Sequence, residues 1–150
     1  MKTKIVIDTS VIVEYIDKAG PWHKYARIIF SEIIRERIVA YIPIITLSEI
    51  LYVAKRVYEK RRVQEPKKKA LGLIRWLYQH PNIRIVVMRL RAIVLASLIK
   101  SKYRLSISNC YVIALAKLLK AKLFSGRERE MFKHVNILKR VYGVIFLEDY

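Results

Sequence analysis

Asp8, Glu49 and Asn109 are the side chains in this sequence whose oxygen donors fall at the junctions of regular elements. Asp8 ends the run Lys4-Ile5-Val6-Ile7-Asp8, and Thr9-Ser10-Val11-Ile12-Val13 follows it. The unbroken β-branched run reads as a buried strand that turns into a helix at the acid. Glu49 and Asn109 each open a helical stretch. In open α/β sheets ligands gather at the carboxyl ends of strands. Hard divalent cations such as Mg2+ take oxygen ligands, keep several waters and use one or a few carboxylates, so separate acids brought to strand ends would suit such an ion. Each position also has an ordinary reading. Asp8, Thr9 or Ser10 can cap the following helix, and Thr46-Leu47-Ser48-Glu49 fits a capping box in which Glu49 reaches back to the backbone of Thr46. The residue types alone leave both readings open.

The elements that must carry these residues alternate between strand and helix. After the first strand, Val11, Ile12, Tyr15 and Ile16 mark a short helix ending near Gly20-Pro21, and a second helix runs from Trp22 to about Glu36. Ile38 to Ile42 reads as a strand stopped at Pro43. A long helix follows, with Leu47, Ile50, Leu51, Ala54 and Tyr58 on its apolar face and Glu49 beside that face. Pro66 fits the first turn of a further helix reaching Gln79. Ile83 to Val87 is a strand, Arg91–Lys102 and Ser108–Lys120 are helices, and Lys122–Phe124 and Val144–Leu147 are short closing strands. This alternation predicts an α/β fold, a parallel sheet covered on both faces. At 150 residues and 54% hydrophobic content, residues 1–150 read as a single domain with a real core. No apolar stretch reaches the roughly 18 to 20 residues of a membrane span, and Met1-Lys2-Thr3-Lys4 runs into the first strand with no leader-like segment. The lone Cys110 sits in an apolar helical run and suits a reducing compartment. A cytoplasmic protein with no membrane association is the expectation.

Thirty Lys and Arg against twelve Asp and Glu leave a net charge of +18. A polyanionic partner, and nucleic acid first, is the natural inference; the competing reading is a solvated surface selected for solubility or heat resistance. Lys55, Arg56, Lys60, Arg61, Arg62, Lys67, Lys68 and Lys69, with Lys100, Lys102 and Arg104, are candidates to guide RNA. Tyr52, Tyr58, Tyr103 and Tyr111 are candidates to stack bases, although aromatics at such spacings more often pack a core. P-loop, dinucleotide-glycine and zinc-type Cys/His spacings are missing. The opening strand also disfavours a helix-turn-helix DNA binder.

Jointly, Ile5-Val6-Ile7-Asp8-Thr9-Ser10-Val11, Pro43-Ile44-Ile45-Thr46-Leu47-Ser48-Glu49-Ile50 and Leu105-Ser106-Ile107-Ser108-Asn109-Cys110-Tyr111-Val112-Ile113-Ala114-Leu115-Ala116 resemble the PIN-domain family. The likeness is greatest to the VapC-type toxins of prokaryotic toxin-antitoxin pairs, especially archaeal ones. It implies a three-layer α/β/α sandwich with a parallel sheet of about five strands. It also implies an acidic pocket holding Mg2+ or Mn2+ for hydrolysis of RNA phosphodiester bonds, a cognate antitoxin and a homodimer. Asp8 and Glu49 match the first two family acids, and Asn109 falls where the third, an aspartate, is expected. In Ser125-Gly126-Arg127-Glu128-Arg129-Glu130 an arginine replaces the aspartate of the Thr-x-Asp pattern, which leaves Glu128, or less favourably Glu130, for the fourth acid.

Asp8, Glu49, Asn109 and Glu128 are therefore the expected catalytic set, the first three as metal ligands, with Thr9 and Ser10 orienting a ligand or water behind them. Asn109 keeps a carbonyl oxygen but loses a negative charge, so metal is expected to bind more weakly. It marks a weakened enzyme, a binding-only descendant or a disarming substitution. His23, His80 and His134 show no arrangement that converges on one site, and no side-chain general base is assigned. The competing expectation is a non-catalytic PIN-like module that binds RNA or protein.

Overall fold

The computed structural model describes residues 1–150. Five strands, β1 (Thr3–Ile7), β2 (Ile38–Pro43), β3 (Ile83–Val86), β4 (Lys122–Ser125) and β5 (Val144–Phe146), alternate with seven helices. These are α1 (Thr9–Ile16), α2 (His23–Ile34), α3 (Ile44–Lys60), α4 (Pro66–Gln79), α5 (Leu90–Tyr103), α6 (Ile107–Leu119) and α7 (Val135–Tyr142). All strand pairs are parallel and the sheet order is β3-β2-β1-β4-β5. The chain moves outward from β1 in one direction to β3, then returns to the other side of β1 for β4 and β5. The direction of winding therefore switches between β1 and β4, where Ile7 pairs with Phe124. The expected three-layer α/β/α sandwich with five parallel strands is what the chain forms.

The alternation of side chains along β1 divides the core. Ile5 and Ile7 join Val11, Ile12, Phe30, Ile33, Ile50 and Leu77 beneath α1 to α4. Val6, between them in sequence, joins Ile99, Ile113, Leu123 and Leu138 beneath α5 to α7. Helix α6 is buried almost all round, with Cys110, Val112, Ile113, Ala114 and Ala116 at zero exposure; the small residues let its backbone lie close to the sheet. That depth fixes the helix that carries Asn109 in its first turn.

Most expected elements recur within a residue or two of their predicted limits, Pro66 heading α4 among them, but α1 stops at Ile16, well short of the expected end near Gly20-Pro21. The segment between β4 and β5 has no counterpart in the sequence reading. It folds as a 3-10 helix at Arg129–His134 and then α7. Helix α7 seats Leu138 fully in the core with Val135, Ile137 and Tyr142 packed beside it, an apolar face that is present in the sequence but only eight residues long. Gly143 ends it at φ +65°, a left-handed closure that favours glycine.

Candidate functional site

Asp8 follows the last residue of β1 and stands at the head of α1, with zero exposure. Its backbone N–H donates to the Phe124 carbonyl across the β1–β4 pair at 3.2 Å, so the acid sits at the point where the winding reverses. Two hydroxyls clamp one of its oxygens: Ser10 Oγ donates to Oδ2 at 2.9 Å and Ser125 Oγ at 3.3 Å. Oδ1 is fully buried and accepts nothing. The helix-cap reading is met only by a long 3.5 Å contact from the Ser10 N–H to Oδ2. Ser10 also binds the far side of the switch, because its Oγ accepts the Gly126 N–H at 2.7 Å. A Cβ on Gly126 would come within 3.2 Å of the Ser10 Cβ, so glycine lets the two segments approach this closely without displacing Ser10. Ser10→Ala removes a donor to a buried carboxyl and the acceptor of a backbone N–H together; a loss of about 2 kcal/mol in urea denaturation is expected.

Glu49 lies inside α3 rather than at its head. The helix begins at Ile44 with Pro43 as the preceding residue, so Thr46 is already within the first turn and no capping box forms. Thr46 Oγ1 is buried without a partner, and Glu49 lines a cavity of about 370 Å³ together with Thr9, Ser10 and Glu128. The proline-stopped strand shifts the helix start two residues upstream of the expected cap, which leaves the Glu49 carboxylate to the cavity.

Asn109, 2% exposed, turns its amide nitrogen toward acids. Nδ2 donates to Glu128 Oε2 at 2.9 Å and to Glu130 Oε1. Glu130 in turn accepts the Ser106 backbone N–H with both oxygens, at 3.0 and 3.1 Å, and so ties off the start of α6 at the exposed rim. Of the two sequence candidates for a fourth acid, Glu128 borders the cavity and Glu130 caps a helix.

Oxygen donors on α3 and the loop after β4, together with the unpartnered buried Oδ1 of Asp8 just past β1, fit a hard divalent cation in kind. No group of three or more His, Cys, Asp or Glu is drawn tightly enough to coordinate one ion jointly. Like charges hold apart without a counter-ion, and the Asn109 amide holds Glu128 by hydrogen bonding. Burial pushes the Asp8 carboxyl up, with the charge of Glu49 adding to the rise and the Ser10 hydroxyl opposing it. Burial, then the charge of Asp8, pushes Glu128 from 4.5 to about 7, against the Asn109 hydrogen bond. For an acid whose folded pKa exceeds its unfolded one, the native state binds more protons, so stability falls as pH rises between the two values. Without divalent metal, the melting temperature is expected to decline from pH 4.5 towards about pH 7 through Glu128. A pH series in EDTA checks this, and added Mn2+ is expected to flatten it by displacing the proton.

Other residues of the site had no role in the expectation: buried Ser125 holds Asp8, while Glu14, Trp22, Arg127 and Glu148 line the cavity. Burial raises the Glu14 carboxyl. Arg127 donates from its backbone to Glu148 Oε1 at 2.7 Å and from Nη2 to Asp149 at 2.6 Å. Ser125 ends β4, the strand paired with β1, and that long-range pairing leaves no local signal in the sequence.

None of Lys55, Arg56, Lys60, Arg61, Arg62 or Arg104 lines this cavity. Lys55 pairs with Glu59 at 3.4 Å, and Arg61 grips Asp17 through two bonds, at 2.9 and 3.1 Å. Arg61 borders a separate cavity of about 850 Å³ that contains none of the acids Asp8, Glu49 and Glu128. Arg56 sits over the Tyr52 ring, and Arg62 and Arg104 end helical segments at φ 56° and 54°. Tyr103 is core, edge-on to His134 and Tyr142, while Tyr52 is exposed and away from the acids. No histidine borders the acid cavity.

A family model described as PIN domain matches residues 5–138. No curated protein sequence matches. Among solved structures the chain is similar to VapC20 of Mycobacterium tuberculosis, a sarcin-ricin loop cleaving toxin, with TM-score 0.66 and 11% identity over 87% of this chain and 95% of that one. It is similar also to FitAcB of Neisseria gonorrhoeae, with TM-score 0.65 and 19% identity over 97% and 99% of the two chains. VapBC2 of Rickettsia felis, bound to a DNA fragment from its promoter, gives TM-score 0.62 and 13% identity over 96% and 97%. At these identities the likeness is one of fold.

Proposed function

Because this chain belongs to the PIN-domain family, we propose that it is a metal-dependent ribonuclease, a VapC-type toxin that hydrolyses RNA phosphodiester bonds with Mg2+ or Mn2+ in the cytoplasm. The observation that carries the reading is that Glu49 and Glu128 line one cavity at the β1–β4 switch while Asp8, buried with Oδ1 unpartnered, lies close enough for its charge to act on Glu128. Asp8 and Glu49 would be the principal ligands of such an ion, and Glu128 and the Asn109 carbonyl would complete the set. When bound, the ion would supply a lowered water pKa and charge stabilisation on the phosphate. Ser10 and Ser125 immobilise Asp8 so that its free oxygen keeps one direction. With no histidine at the cavity, proton removal falls to no imidazole.

The surrounding +18 surface supplies the attraction for RNA, and the cations of α3 and the α5–α6 junction act at a distance from the cavity. Affinity for single-stranded RNA is expected to fall about 50-fold between 50 and 200 mM salt, the loss for about four phosphate contacts. Filter binding or anisotropy checks this, and a flat dependence excludes phosphate-led binding. An antitoxin partner follows from the same reading. The exposed apolar side chains Leu90, Ile93, Val94 and Leu98 along α5 support a homodimer. No helix is long and apolar enough to cross a membrane. Residues 1–150 act as one domain in this proposal.

The deciding experiment is incubation of single-stranded RNA with the purified chain in Mg2+, Mn2+ or EDTA; cleavage confined to the metal-containing samples is expected. A second reading, a non-catalytic module that binds RNA or protein, draws on one observation. The Asn109 amide bridges Glu128 and Glu130 where a cation would otherwise neutralise them.

A further inference from the structure

The acid cavity has a single aromatic side chain in its wall, Trp22. Its placement is built rather than incidental. The Trp22 backbone N–H donates to Glu14 Oε2 at 3.1 Å, and His23 Nδ1 lies 2.8 Å from the Glu14 carbonyl oxygen. A Cβ on Gly20 would meet Glu14 Oε2 and lie 3.1 Å from the Asp17 carbonyl oxygen, so glycine lets the turn before α2 pack tightly against the Glu14 carboxyl. Behind the indole runs a column of nearly parallel rings. Trp22 to Tyr25 is 6.1 Å at 25°, and Tyr25 to Tyr150 is 5.4 Å at 29°. The Tyr25 hydroxyl donates to the Tyr150 carbonyl at 3.0 Å, which fastens the far end of the column. Trp22 remains only partly buried at the near end.

The chemistry of that side of the cavity selects what can lie on the indole. Glu14 and Glu148 share the wall with Trp22, and the one cation there, Arg127, is engaged by Asp149. A second phosphate would be repelled. A flat, uncharged group is not, and in RNA the flat, uncharged group next to every phosphate is a base. Base stacking on aromatic side chains is the usual way single strands are held without reading sequence. Resting on the ribonuclease reading above, we propose that Trp22 is the platform on which a nucleobase flanking the scissile phosphate stacks, which makes the substrate an unpaired segment of RNA.

The test uses the full chain and a short single-stranded RNA series in which one nucleotide at a time is abasic, with binding read by anisotropy in EDTA so that no cleavage is required. In the wild type one abasic position is expected to weaken binding about 10-fold. Trp22→Ala is expected to bind intact RNA about as weakly, with no further loss at that position, and Trp22→Phe to recover most of the affinity. Trp22 also packs against the core, so a second measurement leaves it in place. The chain has two tryptophans, and in Trp76→Phe the remaining indole emission is expected to be quenched by intact RNA and not by RNA abasic at the sensitive position. Uniform tolerance of abasic sites, unquenched emission or absence of RNA binding overturns the platform. Position-specific loss and quenching in a protein that cleaves nothing uphold it and remove the nuclease reading. Cleavage by Trp22→Ala with the KM of the wild type removes the platform and leaves the nuclease.

Discussion

Asp8→Asn is expected to lower RNA cleavage about a thousandfold or more while leaving the fold intact. The carboxyl is wholly enclosed, one oxygen is held by Ser10 and Ser125, and the other is free of hydrogen bonds. An amide has the same shape, and its carbonyl can keep the serine contacts. What it lacks is the negative charge that a divalent ion needs, and the several kcal/mol such an ion supplies to phosphoryl transfer correspond to a thousandfold or more in rate. Burial raises the Asp8 pKa, so the charge is an energetic burden when no metal is bound. The variant is therefore expected to match or exceed the wild type in urea denaturation in EDTA, by up to about 1 kcal/mol near neutral pH. Loss of activity together with retained stability separates a ligand from a packing residue. Loss of stability would assign Asp8 to the core instead.

Asn109→Asp is expected to act in opposite directions with and without metal. The Asn109 amide donates to both Glu128 and Glu130, so a carboxylate at that position gives up both amide hydrogens and faces two acidic groups instead. In EDTA at neutral pH the variant is expected to lose about 3 kcal/mol, the scale of a buried charge left without its partner. It should recover toward pH 5 as the acids take up protons. In saturating Mn2+ the sign reverses, because the added charge strengthens the field on the ion. A gain in metal affinity and in cleavage of at least about tenfold is expected, read by calorimetry and by RNA gels. Inactivity of both forms on every RNA tried would favour the binding module.

The fold was legible where a pattern is local. Ile5 to Ile7 is a β-branched run, Pro66 heads a helix, and the periodic apolar residues of the long helix from Ile44 are read directly from sequence. The site was legible in part. Asp8 was marked by the end of its strand, and Glu49 by its place in a motif, although the capping box drawn there dissolved once the helix began at Ile44. Ser125 acts on Asp8 from 117 residues away, through a strand pairing that no local spacing encodes. Glu128 and Glu130 carry the same charge two residues apart. Only the 3-10 turn that sends Glu130 to the Ser106 N–H and leaves Glu128 at the cavity tells them apart. Trp22 was hidden for a similar reason, since the sequence shows a turn and the tertiary fold shows where its indole goes.

Titration of Mn2+ into the wild-type chain and into Asp8→Asn, followed by calorimetry at pH 7, tests most directly whether this cavity is a cation site. A cation site there binds Mn2+ saturably in the wild type with proton release, since Glu128 is partly protonated at that pH, and at least about tenfold more weakly in Asp8→Asn. Equal binding to both proteins, or none to either, would contradict it.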